Sequence, residues 1–248
     1  MSDNDPLPYE SILESGIRGL TQAAVASGAP ARLDALVGEA LGLAEGLLTS
    51  LRTLNPPETP AACREGCAHC CRFQVAVTPP EALALAHVVR ARGAAAADAL
   101  AARCAALAAA ERGLDAAERV RLKRPCVFLH DERCTIYDVR PLACRGANAT
   151  DDVQCKSALD GAEVQLSLYV HQANVMKAAA RGLNHAARPE EGQLELTAAL
   201  AVALGTPDAA VRWMAGDAIF AAARLPKRRG TDTGNGTDTG NGNRGEPR

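Results

Sequence analysis

The sequence predicts a mainly α-helical domain whose helices surround an irregular, cysteine-rich site carrying a small β-hairpin. Three observations predict it. Apolar residues recur at helical spacing in long stretches. Aromatic residues make up only 3% of the 248-residue chain, although 48% of it is hydrophobic. The cysteines gather in two short segments. With so few rings, a core has to be filled by alanine-rich helices that approach one another closely.

Each element follows in order. Ile12, Ile17, Leu20 and Ala24 mark a first helix, which the string Ser27-Gly28-Ala29-Pro30 breaks. A second helix carries Leu33, Leu36, Leu41, Leu43, Leu47, Leu48 and Leu51, and Asn55-Pro56-Pro57 stops it. Residues 1–57 therefore read as an N-terminal helical pair. A cysteine segment follows, and then Thr78-Pro79-Pro80-Glu81. Thr78 can cap a helix, proline suits its first turn, and Glu81 completes a capping box. This start signal predicts one long alanine-rich helix to about Ala110, then a shorter helix over 115–123.

Residues 126–129 and 134–137 are the chain's most strand-like pieces, with a turn over 130–133, and they predict the hairpin. Arg140-Pro141-Leu142-Ala143 begins a short helical turn. Helices are then expected over 161–181, with Val164, Leu168, Val175 and Met176 on one stripe, and over 194–204 and 209–223. The expected organisation is a cysteine-cluster domain at 58–158, C-terminal helices at 159–225 packing on the same core, and a low-complexity tail at 226–248. That tail repeats Thr-Asp-Thr-Gly-Asn-Gly and lacks apolar residues, so it is expected to be disordered.

Composition narrows the function classes. The formal net charge is -2, so no global basic field points to nucleic acid or to an anionic membrane surface. The longest apolar stretch, 93–110, is interrupted by Asp98 and Arg103 and is not a membrane span. The N-terminus has acids and no basic residue before an apolar core, so no secretory signal is read there and a cytoplasmic location is expected. In that reducing compartment nine cysteines, an odd number, argue against a closed disulfide framework and for metal binding or redox chemistry.

The first segment is Cys63-x3-Cys67-x2-Cys70-Cys71, with Gly66 permitting a sharp turn. Side chains of the adjacent pair diverge, so one thiol can face one centre and its neighbour another, or one polynuclear centre can use both. The second segment supplies Cys126, Cys134, Cys144 and Cys155. Eight thiolates suit two Cys₄ sites or one larger centre, and as soft ligands they select zinc, copper(I) or iron–sulfur clusters. Bound metal thiolates carry negative charge, so Arg64, Arg72, Arg124, Arg133, Arg140, Arg145 and Lys156 are candidate counter-charges.

These segments, with Pro125-Cys126-Val-Phe-Leu and Cys134-Thr-Ile-Tyr137-Asp-Val-Arg140-Pro141-Leu-Ala-Cys144-Arg145, resemble the YkgJ-type cysteine-cluster family over roughly residues 60–156. The first gap here has three residues where the family's short name implies two. The resemblance implies that Cys63, Cys67, Cys70, Cys71, Cys126, Cys134, Cys144 and Cys155 ligate zinc or iron, the iron as ions or as an iron–sulfur cluster. Some relatives are named flagellin N-methylases, which implies an alternative: a metal-dependent methyltransferase acting on a protein side chain. A protein partner, docked on the flanking helices, is a third expectation.

Other features read as structural. The Cys63-x3-Cys67-x2-Cys70 spacing also fits a radical-SAM loop, but the strands and glycine-rich run of that class are missing from the sequence. Cys104 lies in alanine-rich helix and reads as a small buried hydrophobe. His69 and His130 read as exposed loop residues, and His87 and His171 as helical surface or satisfied core residues. Tyr137 is expected to pack the hairpin, and Trp213 to anchor a helix on the core.

Overall fold

The computed structural model describes residues 7–114, 116–164, 166–184 and 192–225. The tail at 226–248 lies outside the described residues. Helices dominate, as the sequence predicts: α1 (Pro8–Ser27) and α2 (Pro30–Leu54) form the N-terminal pair. Gly28, at φ +64, makes the left-handed turn that ends α1, and Pro30 opens α2. Ile17, Ala24, Leu33, Leu36, Ala40 and Ala44 lose all or nearly all solvent contact on their shared faces.

The capping box forms. Thr78 accepts from the Glu81 amide, and Glu81 Oε2 takes the Thr78 amide at 2.8 Å. The helix it starts is shorter than the sequence suggests. It ends as α3 (Pro79–Ala91), and a second helix, α4 (Ala94–Ala110), begins after Gly93. Gly93 sits at φ +113, a conformation only glycine adopts without strain, so the alanine-rich run cannot continue through it. A short helix α5 (Ala116–Leu122) follows.

The hairpin is present but brief: β1 (Ala76–Val77) precedes it in the chain, and its strands are β2 (Leu129–His130) and β3 (Arg133–Cys134). Its two loop residues, Asp131 and Glu132, both have positive φ, which matches the right-handed twist of flanking strands. Helix α6 (Leu142–Gly146) comes next, then α7 (Asp152–Leu159), where no helix was predicted. The signal that could have placed α7 is Asp151, whose carboxylate accepts from the Val153 amide at 2.8 Å as an N-cap.

Over 161–181 the structure corrects the sequence reading. The helix there, α8 (Val170–Asn184), buries Val175 and Met176, but Val164 and Leu168 lie outside it and are exposed. The Ser167 and Tyr169 amides are taken by Gln154 Oε1 at 3.1 Å and Asn148 Oδ1 at 2.8 Å, so they are not available to a helix. Two further boundaries shift. Leu194–Glu195 form a strand, β4, which pairs antiparallel with β1 before α9 (Leu196–Gly205) begins. Helix α10 (Ala209–Ala215) ends at Gly216, φ +108, short of 223.

Packing joins these elements into one buried cluster. Helix α8 lies on α1, α2 and α6, and α9 lies on α4 and α3, with α3 touching both groups. The α1–α8 approach is very close. A Cβ at Gly182 would stand 2.7 Å from Ile17 Cβ and 2.8 Å from the Glu14 carbonyl oxygen. Trp213 is buried in the cluster, and Cys104, fully buried on α4, also belongs to it.

Candidate metal centre

Each cysteine is placed by a local device. Ala62 donates its amide to the Ala149 carbonyl at 2.7 Å, and the Ala149 amide donates to Cys63 Sγ at 3.2 Å. Gly66, at φ +87, makes the turn that returns the chain to Cys67, whose amide reaches the Arg64 carbonyl at 3.0 Å. A 3₁₀ turn, His69–Arg72, then carries Cys70 and Cys71. From the second segment, the Cys126 amide donates to the Cys71 carbonyl at 2.7 Å, which fixes the hairpin against this turn.

Cys144 is positioned from a distance. Glu81 Oε1 accepts the Leu142 amide at 2.8 Å, so the carboxylate that caps α3 also holds the first residue of α6. With three donors on it and no water access, Glu81 is a buried joint between scaffold and site. Burial pushes its pKa up, opposed by those same hydrogen bonds. Cys155 rides on α7, which packs against the 3₁₀ turn.

All eight cysteines of the two segments line a single cavity of about 330 Å³. Phe73, Val75, Phe128, Ile136 and Leu196 supply apolar wall, and none of the described lining residues is a carboxylate. Hard, oxygen-seeking cations such as calcium and magnesium therefore lack their usual ligands here, whereas thiophilic ions have theirs in excess. Among the described residues no three Cys, His, Asp or Glu side chains stand in an arrangement that already grips an ion.

Burial pushes Cys126 up to about 11 and raises Cys144, Cys67 and Cys155 as well. Cys70 is raised first by its hydrogen bond with the Cys71 thiol and then by burial. Cys104, on α4 and away from the cavity lining, is pushed to about 12 by burial, as expected of an inert core thiol.

Most of the candidate counter-charges are engaged elsewhere. Arg72 pairs with Glu132 at 2.8 Å, Arg124 with Glu111 at 3.8 Å, Arg145 with Glu45 at 2.9 Å and Lys156 with Asp160 at 2.6 Å. Arg145 also donates to the Arg140 and Asp138 carbonyls, bracing the loop before α6. Arg64 and Arg140 line the cavity. Arg64 meets Asp152 at 3.4 Å, whereas Arg140 lies 3.9 Å over the Tyr137 ring and its buried Nε has no hydrogen-bond partner among the described residues. Tyr137 is thus a cavity wall and arginine platform rather than hairpin packing alone. His69, expected in solvent, is half-buried in the same wall. His87 and His130 are exposed beside Asp34 and Asp131, and His171 accepts from or donates to the Tyr9 hydroxyl at 2.7 Å.

Residues 62–161 match the CxxCxxCC family model. That model is described as a "Putative zinc- or iron-chelating domain". The matched segment contains all eight cavity cysteines and excludes α1, α2, α8, α9 and α10. Neither a curated protein nor a solved structure matches the chain. The matched segment is thus flanked by helices that the family model does not cover. Among the described residues no helix is long and apolar enough to cross a membrane.

Proposed function

We propose that this chain binds zinc or iron through the thiolates of Cys63, Cys67, Cys70, Cys71, Cys126, Cys134, Cys144 and Cys155. One observation carries the reading: eight cysteines spread over more than ninety residues line one cavity that has no carboxylate in its described wall. The donor set suits a thiophilic metal, and Arg140, whose Nε has no partner among the described residues, supplies positive charge beside it. When bound, the metal supplies cross-links between chain segments that otherwise share few contacts. The chain's own contribution is to hold the two cysteine segments together through the Cys126–Cys71 and Ala62–Ala149 backbone bonds, and to shield the thiols with Phe73, Val75, Phe128 and Ile136.

The test is elemental analysis of the full chain purified without oxygen, read together with its visible spectrum. Zinc or iron in stoichiometric amount is expected. Colour identifies thiolate-bound iron, and a colourless zinc protein identifies the other metal. A chain that emerges metal-free, and takes up neither ion when supplied, overturns the proposal.

A further inference from the structure

We infer that the eight thiols form two separate four-thiol centres side by side, an outer one of Cys63, Cys67, Cys70 and Cys155 and an inner one of Cys71, Cys126, Cys134 and Cys144. The inference rests on the metal-binding reading above and adds the number of centres and the ligands of each.

The outer set is assembled by contacts among the 62–70 loop and α7. The Ala62–Ala149 bond and the Ala149 amide on Cys63 Sγ bring the loop to the approach of α7. Arg64 then meets Asp152, the first residue of α7, at 3.4 Å. Cys155 lies three residues beyond Asp152, so both project from one face of that helix. The same helix packs against the 3₁₀ turn that carries Cys70.

The inner set has its own frame. The Cys126 amide is bonded to the Cys71 carbonyl, and the Leu129 amide to the Cys126 carbonyl at 3.0 Å, which leads directly into β2. Leu129 pairs with Cys134 across the hairpin, so Cys126 and Cys134 lie at the same open end of it. Cys144 lines the same cavity from α6, whose first amide is held by Glu81.

The adjacent pair divides between the sets. A 3₁₀ turn places consecutive side chains about 120° apart around its axis, and the Cys70 and Cys71 thiols stay in hydrogen-bond contact, so the two stand at the shared wall of neighbouring centres, Cys71 on the side of Cys126, whose amide its carbonyl accepts. Cys63, the first thiol of the outer set, is open to solvent, whereas the other seven are half-buried.

The experiment counts metal in the full chain and its serine variants, with folding followed by circular dichroism. Cys155→Ser and Cys134→Ser should each lose half of the wild-type metal. The pair Cys67→Ser with Cys155→Ser, within one centre, should lose no more than that half. The pair Cys134→Ser with Cys155→Ser, across centres, should lose all of it. A single variant that loses all the metal, or a cross-centre pair that loses no more than one of its members, overturns the division while leaving metal binding intact. Metal-free wild-type chain overturns the underlying reading instead. For variants that do not fold, native mass spectrometry of the wild-type chain under a graded chelator gives the same answer. Two steps of equal loss support two centres, and loss in one step refutes them.

Discussion

The helical frame and the cysteine cavity are held by different forces. In the frame, α1, α2 and α8 bury Ile17, Leu33, Leu36, Val175 and Leu183 almost completely, and each buried side chain contributes about 1.5–3 kcal/mol. In the cavity region the elements are two-residue strands, short helices and a 3₁₀ turn, and the cysteines are half-buried apart from the exposed Cys63. Segments this short cannot bury enough apolar surface to offset their ordering entropy on their own. What joins them to the frame is the burial of Val127, Phe128, Ile136 and Leu142, a handful of backbone bonds, one buried carboxylate and, in the proposal, metal. The contrast teaches that the frame should be folded with or without metal, and the cavity should not.

Removing the metal is the strongest way to break this comparison. Structural zinc sites contribute roughly 10–16 kcal/mol of apparent folding free energy in small peptides. After chelation, amide exchange should rise by orders of magnitude across 62–72 and 126–155 while α1, α2 and α8 stay protected. Equal loss of protection in both regions would show that the frame depends on the site after all. Acid should do the same as a chelator. Burial holds the proton on Cys126, raised to about 11, and on Cys67, Cys144 and Cys155, also raised, so these ligands must shed theirs on binding. Metal affinity should therefore fall as pH falls, roughly tenfold per pH unit for every proton displaced. An affinity that does not change with pH would mean the thiols are not the ligands.

Glu81 links the two regions, so its loss should be felt in both. Glu81→Ala strands the Thr78 and Leu142 amides, both buried, and removes the N-cap partner of α3. A stability loss of about 2–4 kcal/mol is expected in urea unfolding, together with lowered metal content, because Cys144 is no longer held. Gly182→Ala tests the frame alone. The new methyl meets Ile17 Cβ and the Glu14 carbonyl oxygen, the latter a backbone atom that cannot turn away. It should cost about 1–3 kcal/mol and leave the metal content unchanged. Metal loss in Gly182→Ala, or unchanged metal in Glu81→Ala, would refute the idea that the carboxylate is the joint.

The frame was more legible in the sequence than the cavity because helical periodicity and caps are local signals. The α1–α2 pair, broken at Gly28, and the Thr78–Glu81 capping box could be read directly. The break at Gly93 was hidden by the alanines around it, since an alanine run stays helical on either side of a glycine. The cysteine positions were equally visible, but their surroundings were not. The bond from Glu81 to Leu142 spans 61 residues, and β1 pairs with β4 across more than a hundred. Neither leaves a periodic trace. Val164 and Leu168 were misread because Asn148 and Gln154, distant in sequence, capture the amides that a helix would have used.

The smallest expected effect concerns the hairpin that carries Cys134. Glu132 sits at φ +57, where a side chain that is neither glycine nor asparagine is strained by about 1 kcal/mol. Its carboxylate also pairs with Arg72, next to Cys71, at 2.8 Å, but Glu132 is mostly exposed, and such a pair contributes at most about 1 kcal/mol. Glu132→Gly relieves the strain and loses the pair, so its net effect on the midpoint of unfolding should be close to zero. In an Arg72→Gln background there is no pair to lose, and the same substitution should stabilise the chain by about 0.5–1 kcal/mol. The difference between backgrounds measures how much the arginine beside the cavity holds the turn in place. Equal effects in both backgrounds would mean that Arg72 does not hold the hairpin, and that the Cys126 amide on the Cys71 carbonyl fixes it alone.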